Sequence, residues 1–389
     1  MDSKTKERTR RIAAAAALTA GLVTAAATDG PAAVALPGCT PHVLPDLGGG
    51  EAEVITISAG GVYGGDAQTP DGVGHAVYWT HAGTDPDAGW TIHLLPSPIT
   101  EDFVADINAN GLMLATGTDP TTGGGAGYVF NPVTGAVTVL PGLGGGDDYD
   151  RRLNDNGVVA GTSLDAKGVY RAATWAPPYT KAVAETNVGA SRSYSSPDAH
   201  YKVGNNALGI NNRGEVVGVA QNGGHLAGTD AFARQHIWHD AVDPLIEPEQ
   251  WRANGSPRRL PTDSGVGQAW AINDAGLIVG SVADSQTFTW RPAAWVNGSY
   301  VDLGVPAGSG DGNAYGLSQG GWAAGGYWNS DYSIRRAFTW DSADGFRTLE
   351  PPAPFADSWS HGVSDALRQI GGAADDGSNN PRVAIVWQC

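Results

Sequence analysis

One sequence unit recurs seven times along this chain, and it limits the possible folds more than any other feature. The unit reads small–x–Ile–Asn–x–x–Gly–x–Val–x–Gly and is followed by Arg–Ala–x–x–Trp. Spacings of 45 to 62 residues between successive units indicate a solenoid, a propeller or an array of repeats. The turn of each unit opens with an Asn or a Ser, at Ser58, Asn108, Asn154, Asn211, Asn273, Ser318 and Ser364.

Each unit predicts four short antiparallel strands. A first apolar stretch leads into the turn, where Asn can bond its own backbone two residues on and Gly can adopt a positive φ. A second strand follows, a third carries an aromatic residue, and a fourth ends near Leu-Pro or Leu-Gly. Four such strands in about 50 residues make a propeller blade, so the predicted fold class is all-β, a single closed seven-bladed β-propeller. The third-strand aromatics are assigned to Trp79, Phe130, Trp175, Trp238, Trp295, Trp340 and Trp387.

The two ends of the chain predict how the ring closes. The seventh unit stops at Cys389, soon after Trp387, and therefore lacks its fourth strand. Residues 40–48 resemble the end of another unit, so we expect the N-terminal strand to pair with the C-terminal blade. The only two cysteines, Cys39 and Cys389, lie at this join, and an even pair in an exported protein favours a disulfide. In the alternative, Leu36-Pro37-Gly38-Cys39 is a lipoprotein signal and Cys39 carries a lipid.

Residues 1–35 have the features of a signal peptide, which leaves residues 36–389 for the propeller. A basic start is followed by the apolar stretch IAAAAALTAGLV, and Ala33-Val34-Ala35 matches a small-x-small cleavage site. The pair Arg10-Arg11 is compatible with twin-arginine export, and the general route is the alternative. No later segment has the ~18 apolar residues that a membrane span needs, so we expect a secreted, extracellular protein.

The formal net charge of −17 bears on the partners of the chain. An acidic surface repels nucleic acid and anionic membranes and attracts cations. We therefore expect no nucleic-acid partner. Solubility in an exposed environment is an alternative explanation of the same charge.

Several segments carry a family resemblance. His75-Ala76-Val77-Tyr78-Trp79 and Arg336-Ala337-Phe338-Thr339-Trp340, together with the INxxGxVVG turns, resemble the extracellular HAF-repeat family over about residues 40–389. The chain departs from the pattern in the last unit, where Asp365-Ala366-Leu367 replaces the turn Gly, and around Phe130 and Val383. The resemblance implies an exported β-repeat protein and brings no established activity or catalytic residues.

Acidic residues recur just before the inner strand of most units. A ring of carboxylates in these loops, around one mouth of the central channel, could hold a hard cation such as calcium or position a polyhydroxylated ligand. In the alternative, the side chains accept hydrogen bonds from nearby backbone amides. The residues concerned are Glu51, Asp102, Asp147, Asp311 and Asp357, with Asn205 in the fourth unit.

Aromatic residues alternate with these acids, and Tyr149 and Trp359 join them in the predicted ligand-binding set. Aromatic faces beside carboxylates suit sugar rings, whereas the alternative role is packing between blades. The segment 220–260 is longer than the repeat requires, and its Trp251 is a candidate contact with a partner.

His361 is the candidate catalytic residue if the protein is an enzyme. It lies on the inner strand of the seventh unit and could act as a general acid or base with Asp357 or Asp147. In the alternative it is a structural histidine. The sequence contains no G-x-S-x-G elbow, H-E-x-x-H motif or phosphate-binding loop.

These observations favour a secreted, monomeric binding protein that recognises an extracellular glycan or protein through one face of the channel. The first alternative is a polysaccharide hydrolase or lyase with its site at the channel mouth. The second is a purely structural surface protein. Calcium is the one metal that the acid pattern suggests, and no other cofactor is expected.

Overall fold

The computed structural model describes residues 38–185, 202–203, 205–221, 246–287, 289–377 and 382–389. Every regular element in these ranges is a β-strand, and the strands are numbered β1 to β29 in chain order. From Gly38 onward the chain forms one compact unit. Within the described ranges there is no helix with the length and apolar character that crossing a membrane requires. The predicted signal peptide, residues 1–35, lies outside them.

The described strands form seven antiparallel sheets, one for each predicted blade. From the inner to the outer strand, blade 1 is β2 (Ala52–Ile57), β3 (Val62–Gln68), β4 (Gly74–His81), β5 (Trp90–Leu94), and blade 2 is β6 (Thr100–Ile107), β7 (Met113–Thr118), β8 (Gly125–Asn131), β9 (Ala136–Val139). Blade 3 is β10 (Gly144–Leu153), β11 (Val159–Asp165), β12 (Val169–Trp175), β13 (Val183–Ala184), with β14 (Lys202–Val203) parallel to β12. Blade 4 is β15 (Asn205–Ile210), β16 (Val216–Gln221), β17 (Ile246–Trp251), β18 (Pro257–Arg259), and blade 5 is β19 (Gly267–Ile272), β20 (Ile278–Ala283), β21 (Trp290–Val296), β22 (Ser299–Asp302). Blade 6 is β23 (Gly312–Leu317), β24 (Ala323–Trp328), β25 (Arg335–Asp341), β26 (Gly345–Leu349), and blade 7 is β27 (Asp357–Ser364), β28 (Gln369–Asp375), β29 (Val383–Gln388) and β1 (Thr40–Val43).

The turn between the first two strands of a blade is held by its first residue. Oδ1 of Asn108 accepts the backbone N–H of Asn110 and of Leu112, both at 3.0 Å. Gly111 closes this turn with a φ of 78°, a conformation that glycine adopts without strain. Where a serine opens the turn, its hydroxyl oxygen takes over part of this role, as Ser58 Oγ does for the N–H of Val62 at 3.0 Å. The predicted role of Asn and Gly in these turns is thus confirmed.

The same asparagines also join neighbouring blades. Nδ2 of Asn154 in blade 3 donates to the carbonyl oxygen of Asn211 in blade 4, at 2.9 Å. A serine has no amide group and cannot form this link, so blades 2 to 6 are connected in this way and blades 7 and 1 are not. The equivalent bonds are Asn108 to Asn154 (3.0 Å), Asn211 to Asn273 (3.1 Å) and Asn273 to Ser318 (3.2 Å).

Buried tryptophans fix the third strand of most blades to the blade before it. The indole N–H of Trp79 donates to the carbonyl oxygen of Pro45 at 2.7 Å, and Trp175 and Trp295 make the same bond to Pro141 and Pro261. These side chains are fully buried between neighbouring sheets, and a buried indole N–H needs such a partner. Packing between blades, rather than within one, therefore forms the core.

The fourth blade corrects one prediction. The third strand there is β17, and Trp251 at its end pairs with Val216 as Trp175 pairs with Val159 in blade 3. Trp251 is fully buried, so its own side chain does not contact a partner. The third-strand position was wrongly assigned to Trp238, which lies outside the described residues. The insertion before β17 lengthens the spacing in this blade, and an earlier tryptophan matched the expected interval.

The ring closes as predicted. β1 pairs antiparallel with β29, with Thr40 opposite Gln388 and Val43 opposite Ile385, and so supplies the fourth strand of blade 7. Cys39 and Cys389 form a disulfide next to this pair of strands. A cysteine in a disulfide has no thiol left to carry a lipid, so the structure supports the disulfide over the lipoprotein alternative.

Removing the disulfide should destabilise the propeller without changing its fold. The bond closes a loop with a sequence separation of 350 residues, for which the loop-entropy model gives as much as about 6 kcal/mol. We expect the Cys39→Ser/Cys389→Ser variant to melt at a lower temperature than the oxidised wild type, by circular dichroism. Added reductant should lower the melting temperature of the wild type and leave the variant unchanged; equal sensitivity of the two proteins would contradict the assigned role.

Substitutions at Asn154 should separate the turn bond from the bond between blades. Asn154→Ser keeps a hydroxyl for the turn and loses the amide that reaches blade 4, so we expect a loss of about 1 kcal/mol in the free energy of unfolding. Asn154→Ala loses both and should cost about 2–3 kcal/mol. Chemical denaturation of the two variants measures the difference, and equal losses would show that the inter-blade bond contributes nothing.

Candidate ligand-binding site

The inner strand of every blade breaks its hydrogen-bonding register at the same place. In β2, Val54 and Thr56 pair with consecutive residues of β3, which leaves Ile55 as an extra, bulged residue. A β-bulge re-aims the side chains around it. The other six inner strands carry the extra residue at the same position, three residues before the turn Asn or Ser: Ala105, Arg151, Leu208, Trp270, Tyr315 and His361.

The bulges turn two consecutive residues of each inner strand toward the channel, whereas neighbours in a regular strand point to opposite faces. All seven bulged residues line a cavity of about 670 Å³, here named the bulge cavity. The residues that directly follow them line a second cavity of about 320 Å³ on the side of the turns, here named the turn cavity: Thr56, Asp106, Arg152, Gly209, Ala271, Gly316 and Gly362.

Arg152 and His361 line both cavities and therefore lie at their boundary. The Arg152 guanidinium starts from blade 3 and donates to the carbonyl oxygen of Ala105 in blade 2 (3.5 Å) and of Tyr315 in blade 6 (3.3 Å). It thus extends across the channel. Because Trp328 and Arg335, on the face opposite the turns, line the bulge cavity, a ligand entering from that face would meet Arg152 at the cavity floor.

Blades 5, 6 and 7 give the bulge cavity an aromatic wall. The rings of Trp270 and Tyr315 meet edge to face with their centroids 5.4 Å apart, and those of Tyr315 and His361 do so at 4.9 Å. Arg335 places its guanidinium carbon 3.9 Å from the ring centroid of Trp359. Nε1 of Trp270 is buried without a hydrogen-bond partner among the described residues. The wall thus combines aromatic faces with an unused donor.

His361 lies beside a carboxylate that the sequence analysis did not single out. Its Nδ1 is 3.2 Å from Oε1 of Glu53, and the same oxygen accepts the indole N–H of Trp359 at 2.7 Å. Burial, together with the charges of Arg152 and Arg335 among others, lowers the pKa of His361 to about 3. The imidazole is therefore neutral near pH 7 and can donate its Nδ1–H to Glu53. Burial raises the pKa of Glu53, while Arg382 opposes this effect.

The two carboxylates predicted to assist His361 have other partners. Asp357 accepts both the backbone N–H and the Nε–H of Arg335, each at 3.1 Å. Asp147 accepts the N–H of Gly125 at 2.7 Å. The carboxylate beside His361 is thus Glu53 and neither Asp357 nor Asp147.

The predicted ring of acids joins neighbouring blades on the face opposite the turns. Oδ1 of Asp102 accepts the N–H of Ala76 in blade 1 at 3.1 Å, and its Oδ2 accepts the hydroxyl of Tyr128 at 2.9 Å. Each partner amide lies near the start of the third strand of the preceding blade. These side chains therefore accept hydrogen bonds from backbone amides, as in the alternative interpretation, but the amide lies in the preceding blade and not in the same loop. The other pairs are Asp147 with Gly125, Asn205 with Ala172, Asp311 with Trp290 and Asp357 with Arg335.

Few residues of the predicted ligand-binding set line the bulge cavity. Asp311 and Trp359 do so, as does His361. Glu51 lies 3.9 Å from Nη2 of Arg382, and the hydroxyl of Tyr149 lies 3.3 Å from Asp147. Among the described residues, no group of three or more His, Cys, Asp or Glu side chains is placed to hold a metal ion.

Sequence reasoning missed several charged residues that line the bulge cavity. Arg151, Arg152 and Glu53 all line the bulge cavity. The sequence did contain a signal for the arginines. When the units are aligned on their turns, no gap is needed, and the other six units carry an uncharged residue or a histidine at the position of Arg151. What alignment alone does not reveal is that a bulge turns both consecutive positions toward the channel.

Comparisons with known proteins agree on the fold. No protein-family model and no curated protein matches the chain. Solved structures do match: the β-propeller domain of the Trilobed protease from Pyrococcus furiosus (9% identity, 90% of this chain and 92% of that chain, TM-score 0.49), a puromycin hydrolase (15%, 83% and 50%, 0.51) and an oligogalacturonate lyase in complex with manganese (12%, 86% and 82%, 0.48). At such identities the likeness concerns the fold alone. The chain is a seven-bladed β-propeller.

His361 should remain unprotonated at pH values where an ordinary histidine is charged. Its folded-state pKa of about 3 lies below the ordinary value of 6.5, so protonation favours the unfolded chain. The stabilising contribution is complete above pH 6.5 and is lost as the pH falls toward 3. Titration of isotope-labelled histidines by NMR, with His361→Asn to assign the signal, measures the pKa; a midpoint near 6.5 would contradict the buried, arginine-flanked environment.

Proposed function

We propose that this protein is secreted and binds an extracellular glycan in the bulge cavity. The observation that carries the proposal is the bulge repeated in all seven inner strands, because it directs seven chemically different side chains into one cavity. The cavity volume of about 670 Å³ falls within the roughly 300–1,000 Å³ of small-ligand sites.

The composition of the wall supports a glycan as the ligand. Trp270, Tyr315 and Trp359 supply aromatic surface, while the side-chain amides of Gln268 and Asn313 supply donors and acceptors in the same cavity. A sugar ring has apolar C–H faces and hydroxyl edges, so it can stack on the first group and bond the second.

We further propose that the chain is an exported member of the extracellular HAF-repeat family and that residues 1–35 are its signal peptide. The disulfide between Cys39 and Cys389 supports export, because such bonds persist outside the reducing cytosol. A monomer is the expected state. Glu51, Asp102, Asp147, Tyr149 and Asp357 stay candidates for binding calcium or a ligand at the face opposite the turns.

The polysaccharide hydrolase or lyase alternative has weaker support. A general base works best when its pKa is near the operating pH, whereas the pKa of His361 is lowered to about 3. Glu53, the carboxylate beside it, is also occupied by Trp359 and Arg382. Binding without turnover therefore fits these residues better.

The proposal is tested by glycan and protein arrays probed with the mature protein, with and without calcium, followed by calorimetry on the glycans that bind. We expect Trp270→Ala to lower the affinity at least about fivefold, since one aromatic stacking contact is worth about 1 kcal/mol or more. Trp322→Ala is the matched control, because Trp322 lies at a turn, near Arg347 and Arg368 and away from both cavities. Melting temperatures of both variants report on folding.

Two outcomes would count against the proposal. If no glycan binds reproducibly in either condition, the cavity is not a glycan site, and binding on the protein array alone would point to a protein ligand instead. If the wild type turns over a polysaccharide and His361→Ala does not, the enzymatic alternative is favoured.

A further inference from the structure

We infer that the glycan bound in the bulge cavity carries an anionic group, a carboxylate or a sulfate, which pairs with the guanidinium of Arg152 at the cavity floor. The inference rests on the glycan-binding function proposed above and narrows its ligand class. Four features of Arg152 carry the inference. Among the described residues it forms no ion pair, and one edge of its guanidinium is free. Other arginines make its surroundings electropositive, and it lies next to the aromatic wall.

No carboxylate that the structure describes lies within ion-pair distance of Arg152. Its charge partner is Asp106, where burial raises the pKa of the carboxyl and the charge of Arg152 opposes this effect. Arg152 donates to three carbonyl oxygens, those of Ala105, Arg151 and Tyr315, at 3.5, 3.0 and 3.3 Å. Arg152 is partly buried, so water screens its charge less than that of a surface arginine, and an anion that reaches it is favoured.

Two other arginines of the cavity wall differ from Arg152 in this respect. Arg335 bonds Asp357 at 3.1 Å, and Arg382 bonds Asp66 at 2.8 Å and Glu53 at 3.1 Å. Their charges are already matched within the protein. An incoming anion would therefore be drawn to Arg152 at the floor rather than to Arg335 or Arg382 on the wall.

The hydrogen bonds of Arg152 leave free the edge of its guanidinium that is suited to bind an anion. Its Nη1 donates to Ala105 and Arg151, and its Nη2 donates to Tyr315, whereas its Nε forms no hydrogen bond with a described residue. The Nε–H and Nη2 share one edge of the planar group, and Nη2 has a second N–H besides the one that bonds Tyr315. That edge is the one that binds the two oxygens of a carboxylate or a sulfate in parallel.

The floor is electropositive although the chain is acidic overall, with a formal net charge of −17. Burial and the charges of Arg152, Arg335, Arg382 and Arg151 all lower the pKa of His361, to about 3. Arg151, the bulged residue of the same strand, also lines this cavity. Anions are therefore repelled by the acidic surface as a whole and attracted to the arginines at the floor of the bulge cavity.

The aromatic wall meets the floor at Tyr315. Arg152 bonds the backbone oxygen of Tyr315, and the Tyr315 ring packs edge to face against Trp270 and His361. A sugar ring stacked on Tyr315 or Trp270 would hold an acidic substituent within reach of Arg152. Stacking and charge pairing can therefore act on one and the same sugar residue.

The test compares acidic oligosaccharides with their neutral forms by calorimetry on the full mature protein. The probes are galacturonate, glucuronate and mannuronate oligosaccharides beside their carboxyl-reduced forms, and a sulfated galactan oligosaccharide beside its desulfated form. We expect one acidic probe to bind at least about tenfold more tightly than its neutral form, as for a charge-assisted hydrogen-bonded pair. Whether the carboxylated or the sulfated probe does so identifies the anion.

Substitution of Arg152 should remove this preference. Arg152→Gln should bring the acidic probe to the affinity of its neutral form, so that the ratio of the two affinities, measured on this variant, falls to about one. The matched control is Arg259→Gln, because Arg259 is half exposed on the outer strand of blade 4 and pairs with Glu247, where an ion pair contributes little. Arg152→Lys, which keeps the charge and loses the parallel edge, should retain part of the preference.

A measurement on the wild type alone covers the case in which the Arg152 variants do not fold. Raising the salt concentration should weaken binding of the acidic probe and leave the neutral probe unchanged. If neutral and acidic forms bind equally, or if Arg152→Gln folds and keeps the preference, the inference is wrong and glycan binding still stands. If no saccharide of either kind binds, the proposed function fails with it.

Discussion

The hydrogen bonds that cross from one blade to the next hold this ring together, and the position of every inner strand depends on them. They occur at three levels: Asn154 to Asn211 at the turns, Asp102 to Ala76 on the opposite face, and Trp175 to Pro141 farther out. Each uses a residue of the repeat unit, so the same geometry recurs around much of the ring. A cavity lined by residues from all seven blades requires this, because a shift of one sheet would displace its bulged residue.

The join between the chain ends is held by different interactions. Ser58, Ser318 and Ser364 open the turns there, and none of them can donate an amide to the next blade. In their place stand the disulfide and the pairing of β1 with β29, and also Arg382 of blade 7, which bonds Glu53 and Asp66 of blade 1 at 3.1 and 2.8 Å. Burial raises the pKa of Asp66 to about 7, because it favours the neutral carboxyl. The positive charge of Arg382 opposes this effect and favours the carboxylate. The seam thus adds a disulfide and ion pairs where the amide bonds between turns are missing.

The sequence predicted the fold far better than the site, for physical reasons. The blades, the turns and the closure follow from local patterns, such as Asn and Gly in a turn or the resemblance of residues 40–48 to the end of another repeat unit. These three predictions were confirmed. The role of Asp102 was not predictable in the same way, because its partner Ala76 is distant in sequence and becomes a neighbour only in the ring. Arg152 was missed because strict alternation would place it and Arg151 on opposite faces of the strand, and only the bulge turns both toward the channel.

The bulge also explains how one repeat can serve both fold and function. The residue just before it is paired in the ladder and packed between blades, and it is small or β-branched and fully buried in most of them, as are Val54, Val104, Ala207, Ala269 and Ala314. The bulged residue itself has no partner in the ladder, so pairing does not limit its size or charge, although Ala105 and Leu208 still pack in the core. That freedom is visible in the chain, where the same position holds Ile, Ala, Arg, Leu, Trp, Tyr and His. A repeat that is regular at its packed positions and varied where it lines the channel is in keeping with the binding role proposed above.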